Sequence, residues 1–211
     1  MSVSVVSSCF GNFDSLKQPP DQILEPEWLM VTDSDSVPSK WLHVRECRDH
    51  VPPRFAAKHA KALPFDYVDT EFAIWLDTGA TIKSPSFVQD ALYVLGDADV
   101  AMWKHPDRNN IRDEAQTSHS MNKYEHQDVR GQAAHYSALG LPDSLWATGC
   151  IVWRNTQQNA NAGRMWLAEM LRWSVQDQLS WPYVAWRLGL KINPLSSSLW
   201  SNPHIQWTGH N

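Results

Sequence analysis

Asp77 is the first candidate for chemistry. It follows an apolar run, Phe72–Leu76, and precedes Thr78, Gly79, Ala80 and Thr81. A short unbroken run bounded this way reads as a strand buried on both faces of a parallel sheet. Ligands of open α/β sheets sit beyond the carboxyl ends of such strands. A carboxylate there can hold a divalent metal that neutralises a diphosphate, or it can simply cap the turn. Asp177 is the second candidate. Ser180 reads as the N-cap of a helix with Pro182 in its first turn and Gly189 as its C-cap. Asp177 then stands just outside that N-terminus, where the helix dipole favours its ionised form. It reads as a general base beside a cleft or as a second cap.

Positive charge comes from Arg54, Lys58 and Lys61, spaced by four and three on a helix over residues 54–63 that opens at Pro52-Pro53 and stops at Pro64. Such a stripe can hold a diphosphate or be a solvated face. His105, Arg108 and Glu114 follow a strand over 100–103 and either line a site or form a surface ion-pair cluster. In the first loop, Phe10 or Phe13 can pack a base and Asp14 can accept from ribose hydroxyls. A hydrophobic turn with a capping Asp is the other reading.

These groups need a scaffold. Strands over 2–8, 28–32, 72–76, 100–103 and 148–153 are interleaved with helices over 54–63, 86–95, 122–139 and 160–173 and one from Ser180 to Leu188. The pattern predicts an α/β fold. The tail over 196–211 is polar and Trp-rich and carries His204 and His210, either of which could be a metal ligand.

The 211 residues fit one α/β domain, 43% hydrophobic and 19% charged, with no repeat. A net charge of −5 gives no global drive toward nucleic acid or an anionic membrane. Cys9, Cys47 and Cys150, with no CxxC pair, read as free thiols of a reducing compartment. No signal peptide or membrane span is evident, so a cytoplasmic protein is expected. The twelve tryptophans fill a core and also offer flat faces on which sugars stack.

Several motifs coincide with those of one family. Trp75-Leu76-Asp77 with Ile82 resembles the W-[IL]-D-x4-I strand of the TOD/MUCI-type glycosyltransferases of plants and bacteria. His105-Pro106-x-Arg108 with Glu114-Ala115 is similar to its H-P-x-R and E-A pair, and Gln132-x3-Tyr136-x3-Gly140-x-Pro142 to its helix motif. Asp177-Gln178-Leu179-Ser180-Trp181 resembles D-Q-L-S-[FY]. Phe10-Gly11-Asn12-Phe13-Asp14 resembles F-G-x-Y-D, Thr32-Asp33 resembles F-T-D, and Arg54 and Lys58 with Pro64 resemble the R-x3-K region.

The resemblance runs from residue 5 to about 185 and implies a glycosyltransferase-A fold: a Rossmann-like sandwich with a mostly parallel central sheet flanked by helices. About 1–100 would be the nucleotide-sugar half and about 101–211 the acceptor half with its tail. It implies metal-assisted transfer, with Mn²⁺ or Mg²⁺, from a nucleotide-sugar, UDP-linked by expectation, to an acceptor hydroxyl. Asp77, Asp177 and Glu114 would be the catalytic carboxylates. Phe10, Phe13, Asp14, Asp33, Arg54, Lys58, His105, Arg108 and Gln178 would bind donor. Asp33-Ser34-Asp35 looks like a metal-binding DxD but follows an early strand and reads as a turn. The usual DxD would place an acid where this chain has Gly79, so a metal on Asp77 needs another ligand, with His204 the candidate.

Plant members carry an anchor and extra sequence ahead of this core, which points to a bacterial or phage version. The acceptor is then a glycan or a hydroxymethylated pyrimidine of phage DNA. Arg45, Arg48, Arg54, Lys58 and Lys61 form a basic stripe that would suit DNA, against the acidic net charge. The alternatives are an inactive nucleotide-sugar- or carbohydrate-binding protein and, from the nine histidines, a metal-dependent phosphoesterase.

Overall fold

A computed structural model describes residues 1–48 and 50–208; His210 lies outside the described residues. β1 (Val3–Cys9) is buried along its whole length. Its serines survive there because their hydroxyls are bonded: Ser7 Oγ donates to the Leu76 carbonyl at 2.5 Å and Ser8 Oγ to that of Ala57 at 3.1 Å. Beside β1 run β2 (Glu27–Thr32), then β3 (Leu42–Arg45), on one side. On the other run β4 (Phe72–Leu76), β7 (Trp146–Arg154), β6 (Val100–Lys104) and β8 (Ile192–Pro194). All strands of this sheet are parallel except β7, which is antiparallel to both neighbours. β5 (Ala80–Ile82) pairs instead with β9 (Ile205–Trp207), so the tail folds back onto the segment after Asp77.

Helices cover both faces, as the burial of both faces of β1 and β4 requires. α2 (Phe87–Leu95) packs Phe87, Val88 and Leu95 on Val5, Ile74 and Trp103. On the opposite face lie α1 (Pro53–Ala62), α5 (Gln157–Arg172) and α6 (Asp177–Leu188), over Val6, Val31, Trp75 and Ile151. α5 approaches α1 so closely that a Cβ on Gly163 would lie 2.0 Å from the Ala62 carbonyl oxygen. The helix that carries Lys58 and Lys61 is therefore fixed by backbone contact. The expected mixed α/β, Rossmann-type sandwich with a mostly parallel sheet is what forms.

Several expectations fail in detail. Residues 122–139 are not one helix: a short 3-10 turn, Asn122–Tyr124, precedes α4 (Val129–Ala138), whose N-cap Asp128 accepts the Gly131 N–H at 2.9 Å. The stretch after His105 contains a helix that was not foreseen, α3 (Ile111–His119), capped by Asn110. α6 starts at Asp177 with Gln176 as its N-cap, so Ser180 is inside the helix and its hydroxyl turns back to the Asp177 carbonyl at 3.3 Å. Trp28, Trp75, Trp103, Trp153, Trp166 and Trp181 are core residues, which takes half of the twelve tryptophans out of the argument for a sugar ligand. All three cysteines are unpaired. No helix among the described residues is long and apolar enough to cross a membrane.

Candidate active site

The carboxyl ends of β1 and β4 meet α1 in an open cleft, the edge of the sheet where ligands of such folds sit. Phe10, Phe13, Asp14, Arg54, Lys58, Lys61, Trp75 and Asp77 all line it. Phe13 is 47% exposed at its mouth, whereas Phe10 is buried beneath the loop. Asp14 reaches across the cleft to accept the Thr78 hydroxyl at 2.5 Å, which ties the first loop to the turn after Asp77.

Asp77 is held from three directions. Trp75 Nε1 donates to its Oδ1 at 2.6 Å, the Lys61 ammonium lies 3.2 Å from the same oxygen, and its backbone N–H donates to the Gly149 carbonyl. Gly149 is obligatory in this packing: a Cβ there would lie 2.3 Å from the Trp207 ring and 3.4 Å from Asp77 Oδ2. Asp77 and Asp177 are joined by one side chain. Lys61 Nζ is 2.7 Å from Asp177 Oδ2, and Lys58 Nζ approaches that oxygen at 2.5 Å. The Thr148 hydroxyl donates to Asp177 Oδ1 at 2.8 Å. Lys61 and Asp177 are almost fully buried, at 2% and 4% exposure.

Burial opposes ionisation of Asp177, but the two ammoniums overcome it and hold the carboxyl well below the usual range. Burial likewise opposes the charge on Lys61, and Asp177 and Asp77 outweigh it, so its pKa is raised. A carboxylate this depressed and this fully bonded is a poor proton acceptor. Asp177 anchors the two lysines, both of whose ammoniums sit on its Oδ2. Because its folded pKa lies below its unfolded value, the unfolded chain takes up the proton first as the solution is acidified. The stabilisation is present above pH about 4 and is lost below it. Urea unfolding from pH 7 to pH 3 should show Asp177→Asn weaker than wild type at neutral pH by a nearly constant amount, with the gap closing below about pH 4.

His105, Arg108 and Glu114 form a separate, neighbouring cluster. Glu114 Oε2 accepts from Arg108 Nε at 2.6 Å, and Oε1 accepts from Gln176 Nε2 at 2.7 Å and from the Ser118 hydroxyl at 3.1 Å. Glu114 is 2% exposed with both oxygens bonded, so it is not available as a catalytic carboxylate. Through Gln176, the N-cap of α6, it secures the helix end that presents Asp177. His105 Nδ1 accepts the N–H groups of Asp107 and Arg108 at 3.2 Å, and burial pulls its pKa below the usual value. Gln178 is half-buried in the first turn of α6. Gln132 and Tyr136 serve packing: Tyr136 donates to Glu169 at 2.6 Å and takes a bond from Gln132 at 3.2 Å.

Other expected site residues are placed elsewhere. Both Asp33 oxygens accept the Gly11 N–H, at 2.9 and 3.1 Å, and Asp35 pairs with Arg45 at 2.8 Å, so the DSD is a structural turn. The basic stripe does not form. Arg45 pairs with Asp35, Arg48 with Glu46 at 2.7 Å, and Lys58 and Lys61 with Asp177. Arg54 lines the cleft over the Tyr124 ring and donates to the Lys123 carbonyl at 3.0 Å.

A divalent metal on Asp77 and His204 does not fit these residues. His204 lies against Phe87, with Nδ1 3.9 Å from Asp90, and lines a different cavity. Among the described residues no group of three His, Cys, Asp or Glu side chains could hold an ion. An ion on Asp77 would also face the Lys61 ammonium already on that carboxylate. Like charges about 4 Å apart repel by about 4 kcal/mol per unit pair at an effective dielectric near 20.

Lys61, Trp75 and Thr148 are site residues that the sequence reading did not single out for this role. Lys61 had a signal, its spacing with Arg54 and Lys58 on one helix face, but that spacing does not show that it turns inward to two carboxylates. Thr148 had none, because only the reversed direction of β7 brings the start of that strand to the edge where the other strands end.

No curated protein matches the chain. The TOD1/MUCI70, glycosyltransferase-like domain matches residues 52–202, which include Arg54, Lys58, Lys61, Asp77, the His105 cluster and Asp177 and leave out the first loop and His204. The chain belongs to this glycosyltransferase-like family.

Proposed function

We propose that the protein moves a sugar from a nucleotide-sugar, most simply UDP-linked, to a hydroxyl of a glycan, with the donor in the cleft between β1, β4 and α1. The observation that carries this reading is the juxtaposition of Arg54 and Lys58 with Asp77 at the carboxyl edge of the sheet, beside an aromatic ring and a carboxylate, Phe13 and Asp14, suited to a nucleoside. In transfer, the bond from the anomeric carbon to the diphosphate oxygen breaks and its electron pair stays on the diphosphate. The acceptor oxygen bonds to that carbon and its proton is released to solvent. Fixed cations that meet the new charge on the diphosphate stabilise the transition state more than the ground state. Arg54 and Lys58 supply them, Phe13 packs the base, Asp14 meets the ribose, and Asp77 orients the sugar. A DNA acceptor has weaker support, because Arg45 and Arg48, the part of its basic stripe away from the donor cleft, are paired with Asp35 and Glu46.

A thermal-shift panel of nucleoside diphosphates and nucleotide-sugars tests the donor site. One nucleotide at about 100 times its dissociation constant should stabilise the fold by about 2.7 kcal/mol. No shift with any nucleotide would sink the donor-site reading.

A further inference from the structure

Resting on that reading of the cleft, we propose that Lys61 stands in for the divalent cation, so that donor binding and sugar transfer need no metal ion. The geometry is that of a filled site. The Lys61 ammonium has three N–H donors and no acceptor. Three oxygens surround it: Asp177 Oδ2 at 2.7 Å, Asp77 Oδ1 at 3.2 Å and Thr148 Oγ1 at 3.4 Å. These carboxylates are the ones an ion at this edge of the sheet would use, and the ammonium already neutralises them. The position is built in, since Lys61 is almost fully buried and α1 is pinned against α5 at Gly163. Gly79 removes the second acid of a paired metal motif.

The division of labour follows. Lys61 balances Asp77 and Asp177 inside the protein. Lys58, whose own bond to Asp177 fixes its direction, and Arg54 face the cleft and take the charge of the leaving diphosphate. Metal-assisted enzymes assign that task to the ion.

The test is calorimetric titration of wild-type protein with the nucleoside diphosphate that gives the largest thermal shift, once in excess EDTA and once in Mn²⁺. The inference expects dissociation constants that agree within about twofold, and weakening by about tenfold or more in EDTA, about 1.4 kcal/mol, would overturn it. No binding under either condition would overturn the donor-site reading and take this inference with it, whereas binding that needs Mn²⁺ would spare that reading and sink only the role of Lys61. A second readout uses the electron paramagnetic resonance signal of free Mn²⁺. Wild type should leave it unchanged. Folded Lys61→Ala, in which Asp77 loses its ammonium and Asp177 keeps only Lys58, should diminish it. Mn²⁺ uptake by wild type in the absence of nucleotide would contradict the proposal.

Discussion

Asp177→Ala should unfold at a markedly lower denaturant concentration than wild type, by about 3 kcal/mol, because removing one partner of a buried ion pair leaves the other charge uncompensated. Lys61 would keep only Asp77, at 3.2 Å, as a charged partner beside the Thr148 hydroxyl at 3.4 Å, and that hydroxyl would lose its acceptor. The loss is set by the ammonium left behind rather than by the strength of the pair. Asp177→Ala combined with Lys61→Met should therefore recover a large part of it, while Asp177→Ala with Lys58→Ala should recover less, since Lys58 is more exposed than Lys61. Equal recovery in both double variants would show that Asp177 does not act through the buried ammonium.

The second large effect falls on turnover. Lys58→Ala should lower kcat by about 10²-fold or more, the scale of removing one fixed group that meets developing charge, with little loss of stability. Asp177 keeps Lys61 and Thr148 as partners in that variant, so its carboxylate stays balanced. Lys58→Arg should restore part of the rate. Steady-state kinetics with the donor found in the nucleotide panel decides the matter. A change confined to KM would mean that Lys58 binds the diphosphate equally in ground and transition states.

How much of this was legible in the sequence depended on whether position along a strand or contact across the fold decided the role. Asp77 was legible, because an apolar run that ends in an acid marks the carboxyl edge of a parallel sheet. Arg54 and Lys58 were legible as neighbours on one helix face. The meaning of the Lys58 charge was not, because its partner Asp177 lies more than a hundred positions away. Helix α3 escaped notice because its buried face, Ile111, Glu114, Ala115 and Ser118, has helical spacing but carries a carboxylate and a hydroxyl, so no hydrophobic period appears. That same Glu114 then looked catalytic, although its oxygens are spent on Arg108, Ser118 and Gln176. His204 was assigned by residue type alone, and the pairing of β9 with β5 sends its ring toward Asp90 instead.

The most direct test of the account is nucleoside-diphosphate release from a panel of nucleotide-sugars, with glycan acceptors and with hydroxymethylpyrimidine DNA, by wild type and by Lys58→Ala. The account predicts release from one donor, accelerated by a glycan and nearly abolished in the variant. Donors that bind wild type yet release nothing with any acceptor would contradict it and leave a sugar-nucleotide-binding protein in place of a transferase.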